Sequence, residues 1–275
     1  MIVDYHMHLR GSSDTGEGPI EHTPEAAERF VEEAARRGVD EIGFAEHLYY
    51  FREFDALVEH PYQRDRIGHD LDTYVDALVE AKRRGLPVKV GLEVDYFVGR
   101  EAELAELLAP YPWDYLLGSV HILDGEAIDM EPGLWGRLPV EEVWRRYFAA
   151  LRGLARSGLV DVLAHPDLVK IFGLRPSREA VALHHAETAD TISVVGLAVE
   201  VSTAGLRKRV GEIYPAPDLL EAFRARDVPV TLASDAHACE YVGRDFDQAL
   251  ELLAKTGYET VTVFEGRAAR QEPLG

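Results

Sequence analysis

The chain has 275 residues, 47% of them hydrophobic, enough to bury a large core. Its formal net charge of −20, from 49 acidic and 29 basic residues, repels phosphate backbones and disfavours bulk nucleic acid as a partner. Divalent cations and a cationic small molecule remain compatible with it, and the single cysteine, Cys239, excludes an internal disulfide.

No apolar run is long enough to span a bilayer, and no basic-then-apolar leader opens the chain, so the expectation is a cytoplasmic protein with no membrane partner. Composition says nothing about oligomeric state.

Residues 2–5 read as a first strand that ends at His6 and His8. This i, i+2 spacing puts both side chains on one face. A Gly-, Ser- and Asp-rich loop follows. Thr23 and Pro24 then supply an N-cap and a first-turn proline for a helix that runs to about Arg37 and stops at Gly38. Residues 41–45 form a second strand, followed by Glu46, His47 and the aromatic stretch Tyr49, Tyr50 and Phe51. A helix over about 71–84 leads to a third strand at 88–94, which carries Glu93.

After a helix at about 100–108, the fourth strand (115–120) ends at His121. A helix over 140–157 precedes the fifth strand (160–164), which ends at His165. Helix 177–192, strand 196–201, helix 218–226 and strand 230–233 follow, the last ending at Asp235 and His237. A helix near 246–255 and a short strand at 260–264 finish the chain. This alternation calls for a parallel sheet of seven strands, or eight with the last, in one domain spanning residues 1–275.

A metal-ligand residue type follows six of the seven strands; only the sixth lacks one. In α/β barrels the loops at the carboxyl ends of the strands converge on one face, so the pattern predicts a metal centre there. Imidazoles mixed with carboxylates suit Zn²⁺, Mn²⁺ or Fe²⁺ and not an all-oxygen cage. The ligands are too many for one ion and imply two or three.

Six segments carry a resemblance: Asp4-Tyr-His-Met-His, Ala45-Glu-His, Gly91-Leu-Glu-Val-Asp, Gly118-Ser-Val-His, Ala164-His-Pro-Asp-Leu and Ala233-Ser-Asp-Ala-His. In this order they resemble the PHP (polymerase and histidinol phosphatase) family. Val201-Ser-Thr-Ala-Gly-Leu-Arg with Tyr214-Pro-Ala-Pro, and Pro166-Asp-Leu-Val-Lys-Ile-Phe-Gly, are similar to its stand-alone histidinol-phosphatase branch.

The resemblance implies a distorted (β/α)7 TIM-like barrel with a trinuclear site at the carboxyl ends of its strands. It implies one ion on His6, His8, Glu93 and Asp235, a second on the bridging Glu93 with His121 and His165, and a third on His47, His237 and Asp14. Aspartate stands at position 14 where many relatives have histidine. Arg207 and Lys170 match positions that contact substrate phosphate, and Asp14 or His237 are candidates for protonating the leaving group.

The implied activity is hydrolysis of a small phosphomonoester, L-histidinol phosphate, in histidine biosynthesis; another small phosphate ester such as a nucleotide is the alternative. Glu17, Glu46, Asp95 and Asp124 are candidate contributors to an acidic mouth that would attract the cationic substrate. An amidohydrolase also begins with His-x-His, but its carboxylated-lysine bridge has no counterpart, since Lys89 starts its strand. A silent metal module would lack ligands. Outside the pattern, His184 and His185 read as helix-surface residues, His22 as a helix-entry residue and Cys239 as a small hydrophobe; His60 and His69 match no ligand position.

Overall fold

The computed structural model describes residues 1–11, 18–130 and 133–275. Asp14 and Glu17 lie outside the described residues.

Seven parallel strands pair in chain order: β1 (Val3–Asp4), β2 (Glu41–His47), β3 (Val88–Asp95), β4 (Leu117–Ser119), β5 (Val162–Leu163), β6 (Ala198–Ser202) and β7 (Val230–Ala233). Every residue of β3 is buried, as expected of a strand covered on both faces. The longer helices between and after them are α1 (Pro24–Arg36), α2 (Leu71–Arg83), α3 (Glu101–Leu108), α4 (Val140–Arg156), α5 (Arg178–Val195), α6 (Pro217–Arg224) and α7 (Phe246–Thr256). Their starts follow local chemistry. The Thr23 hydroxyl accepts the Ala26 N–H at 3.1 Å, Asp70 accepts from Thr73 at 2.9 Å and Ser177 from Ala180 at 3.2 Å. Helix α5 ends where Gly196 turns left-handed at φ 78°.

The sheet closes into a barrel where β1 meets β7. The Tyr5 N–H donates to the Leu232 carbonyl at 3.0 Å, and the His8 N–H to that of Ala236 at 2.9 Å. The buried Asp4 carboxylate reinforces this seam by accepting the Ser234 N–H at 2.9 Å and the Gly243 N–H at 2.8 Å. Burial pushes its pKa up to about 6, against the pull of these bonds.

The last strand, at 260–265, is not an eighth barrel strand. Thr260–Glu265 pairs antiparallel with Ala268–Pro273, forming a hairpin below the amino ends of the barrel strands. Phe264 packs against Tyr5 and Tyr115 at 6.1 and 6.0 Å between ring centroids. Glu265 pairs with Lys89, and Arg267 with Asp161 at 2.9 Å.

Tyr115 enters the barrel axis because Gly43 and Gly91 leave room; a Cβ on either would overlap its ring. Its hydroxyl donates to the Tyr5 carbonyl at 2.6 Å. Aromatic packing thus fills the amino end, and the carboxyl end is left to the ligand-type side chains.

Candidate metal centre

The i, i+2 spacing of the first strand delivers His6 and His8 into the barrel mouth, both fully buried. Around them gather Glu93 from β3, His47 at the end of β2, and His121, His165, Asp235 and His237 from the loops after β4, β5 and β7. Two of these loop residues, His165 (φ 25°) and Asp235 (φ 53°), sit at positive φ, a conformation that aims a side chain back over the strand end at some backbone cost.

Glu93 is the hub. One carboxylate oxygen lies 3.0 Å from His165 Nε2 and 3.4 Å from His121 Nε2; the other lies 2.5 Å from His47 Nδ1 and 3.5 Å from His6 Nε2. Asp235 lies 3.3 Å from His8 Nε2 and 3.5 Å from His237 Nδ1.

Four triads bring three ligand atoms within 4.8 Å of one another: His6, His8 and Glu93; His47, Glu93 and His121; His8, His47 and His237; and His6, His165 and Glu200. His6 Nε2 is buried without a hydrogen-bond partner among the described residues, and His47 Nδ1 and Glu93 Oε2 meet without hydrogen-bond alignment. Buried polar atoms left in this state cost free energy unless something coordinates them. This donor set therefore fits divalent cations that accept nitrogen and oxygen together.

Behind the ring of imidazoles stands a set of carboxylates with a different task. Glu200 accepts from His6 Nδ1 at 2.9 Å, Glu46 from His8 Nδ1 at 3.0 Å and Asp95 from His121 Nδ1 at 2.8 Å. Each pair fixes the ring and its tautomer and leaves Nε2 directed at the centre, the arrangement that supports metal-ligating histidines. Glu200 also accepts the His165 N–H at 2.7 Å. The sixth strand is therefore not without a role: Glu200 on β6 orients residues of two other strands. Glu46 and Asp95 are not mouth residues either, being buried as orienting partners. Asp124 pairs with Arg146 at 2.5 Å on the outside.

Burial alone would raise the Glu93 carboxyl, but His47, His121 and His6 around it hold it well below the usual range. Asp235 behaves alike, with burial opposed chiefly by His6 and His8. His121 is opposed by burial yet pushed up to about 10 by Glu93 and Asp95. His237 goes the other way: burial and then His8 push it well down, which favours a neutral, ligating imidazole over a proton donor.

Above the ring lies a cavity of about 380 Å³, within the range of small-ligand sites. Its walls include Arg207, Lys208, Tyr49, Tyr62, Asp129 and Tyr241. The Arg207 guanidinium is held by the carbonyls of Ser234 and Thr203 and by Asp245 at 3.5 Å.

Lys170, expected beside it, does not line this cavity. Its ammonium is fully buried on the Ile213 carbonyl at 2.7 Å and the Asp167 carboxylate at 2.9 Å, and it borders a different cavity. Its charge is met by these two partners, whereas Lys208 joins Arg207 in lining the metal cavity. Tyr49 both packs and lines, stacking on His47 at 4.8 Å.

Other expectations change as well. His184 and His185 are buried, with Phe148 stacked on His184 at 5.4 Å. His22 stands inside, 3.8 Å from Glu46 and near Phe51, Tyr74 and His69. Adjacent i, i+2 spacing (Glu93 and Asp95) could have suggested one orienting carboxylate. Glu46 beside His47 offered a weaker hint, and Glu200 in an apolar strand the weakest.

The PHP domain profile matches residues 4–204. A probable histidinol-phosphatase of Deinococcus radiodurans is 34% identical over 246 residues, spanning 88% of this chain and 91% of that protein. The histidinol-phosphatase of Bacillus subtilis is 27% identical over 90% of this chain and 98% of its own. Among solved structures, the histidinol phosphate phosphatase of Lactococcus lactis, complexed with zinc, L-histidinol and phosphate, superposes with a TM-score of 0.77. It does so at 21% identity, over 98% of both chains, which shows a shared fold.

Proposed function

The chain belongs to the PHP domain family, and on that premise we propose that it is a divalent-metal-dependent phosphomonoesterase whose substrate is L-histidinol phosphate. The observation that carries the proposal is the floor of the cavity. Three histidines there have Nδ1 tied to a buried carboxylate, and a buried glutamate is shared among four imidazoles, below a wall that presents an arginine.

His6, His8, Glu93 and Asp235 would hold one ion, and Glu93, His121 and His165 a second. His47 and His237 would hold a third with Asp14, for two or three ions of zinc, manganese or iron in all. When bound, such ions supply positive charge at the phosphoryl oxygens and lower the pKa of water towards neutrality. Arg207, fixed by two carbonyls and Asp245, presents a preorganised guanidinium where negative charge grows on the transferring phosphoryl group. Glu200, Glu46 and Asp95 keep their imidazoles in the ligating tautomer. Asp129 complements an ammonium at this cavity, and Tyr49, Tyr62 and Tyr241 line it with aromatic surface.

The relatives named histidinol-phosphatase, and the zinc, L-histidinol and phosphate in the Lactococcus structure, support this substrate over other esters. The test is phosphate release from L-histidinol phosphate by metal-replete protein, beside nucleotide monophosphates and an aryl phosphate. Strong preference for the first, lost on chelation, is the expected result. Turnover of the other esters alone would move the protein out of histidine synthesis, and no turnover of any would remove the phosphatase reading.

A further inference from the structure

A second cavity, of about 400 Å³, lies between α4, the first turns of α5 and the start of α6. It backs onto the metal cavity through a shared wall. Within residues 165–171, His165, Leu168 and Ile171 line the metal cavity while Asp167 and Lys170 line the second; Tyr214 faces the first and Ala216 the second. The Lys170–Asp167 pair braces this wall, because the same Asp167 oxygen also accepts the Ala216 N–H at 2.8 Å.

Two polar atoms of its lining residues have no partner among the described residues: Asp167 Oδ1 and His185 Nε2, on residues 0% and 4% exposed. His185 Nδ1 lies 3.4 Å from the Asp218 carboxylate. The Asp167 oxygen is an acceptor, since Lys170 and Ala216 both meet its partner oxygen, and the Asp218 carboxylate adds negative charge beside His185. Together they call for a donor-rich cation.

Positive charge lines the cavity too: Arg178 is the first residue of α5, an 18-residue helix whose amino end favours an anion. Trp144 and Val181 add apolar lining.

We propose that this cavity binds a free α-amino acid, its ammonium towards Asp218, His185 and Asp167 and its carboxylate at Arg178 and the start of α5. Occupancy bears on the wall that carries His165 and Tyr214, so it alters the KM for the phosphate ester.

The site itself is tested without reference to substrate. The full-length, metal-replete protein is titrated calorimetrically with each proteinogenic L-amino acid at up to millimolar concentration. One or a few should bind, and Asp218→Asn and Arg178→Ala should each weaken binding about tenfold, as expected for loss of one charged contact. Both side chains are solvent-accessible, so these variants keep the fold, which circular dichroism checks. No binding by any amino acid would overturn the site. So would binding unchanged in the double variant, which would place the ligand elsewhere, on the metals included. Binding with an unchanged KM would overturn the coupling.

Discussion

Glutamine in place of Glu200 changes one atom and forces a choice that the centre is built to avoid. The carboxylate accepts twice, from His6 Nδ1–H at 2.9 Å and from the His165 N–H at 2.7 Å. The two donors meet different oxygens, and an amide has only one acceptor oxygen. If its oxygen keeps the His165 N–H, its NH₂ faces His6 Nδ1, which must then become an acceptor and move its proton to Nε2, the atom needed for a metal. If the amide turns over, the tautomer is kept but the buried His165 N–H loses its partner, at a cost of about 1–3 kcal/mol. Loss of such an orienting partner lowers metal affinity or activity by roughly 10–100-fold. That corresponds to about 1.4–2.8 kcal/mol.

The assay is metal content after equilibration at buffered free zinc, alongside kcat/KM for phosphate release. Glu200→Gln should show lower metal occupancy, with activity partly restored by excess metal. Wild-type occupancy and kcat/KM in that variant would refute the orienting role, and with it the inference drawn from all three carboxylate–histidine pairs.

Glu93→Ala should lose metal at more than one position together and abolish turnover; full metal content by elemental analysis would contradict its hub position between four imidazoles. Arg207→Ala should lower kcat/KM by about a hundredfold with metal content intact, and Arg207→Lys should recover only part, since a point charge replaces a fixed fork. Lys170→Met should act on stability instead. Breaking a buried ion pair costs about 3–5 kcal/mol, so urea denaturation should shift while metal content does not; a normal midpoint with a raised KM would return Lys170 to the phosphate site.

The barrel was legible because its signals are local. Apolar runs alternate with helices, and Thr23, Pro24 and Gly38 punctuate the first helix where the structure does. The ligand-type residues were legible because strand ends place them in chain order. What stayed hidden depends on long-range packing. Glu200 reads as one charge in an apolar strand until His6, 194 residues away, is brought against it. Lys170 reads as a loop cation until Asp167 and the Ile213 carbonyl enclose it. The last strand reads as a barrel member until its partner at 268–273 takes its hydrogen bonds. The carboxyl-terminal quarter beyond residue 204, outside the family profile, still supplies Arg207, Asp235 and His237.

The hairpin beneath the barrel has a kinetic consequence. Phe264, Tyr5 and Tyr115 fill that end, so among the described residues the metal cavity has no exit through the amino end of the barrel. A phosphate ester held with its phosphoryl group on the ligand-type side chains should therefore release its alcohol first and inorganic phosphate second, an order that product-inhibition kinetics tests. Such last-out behaviour makes phosphate compete with fresh substrate, while the alcohol inhibits noncompetitively. The order of departure is thus set by a pair of strands on the far side of the molecule from the chemistry.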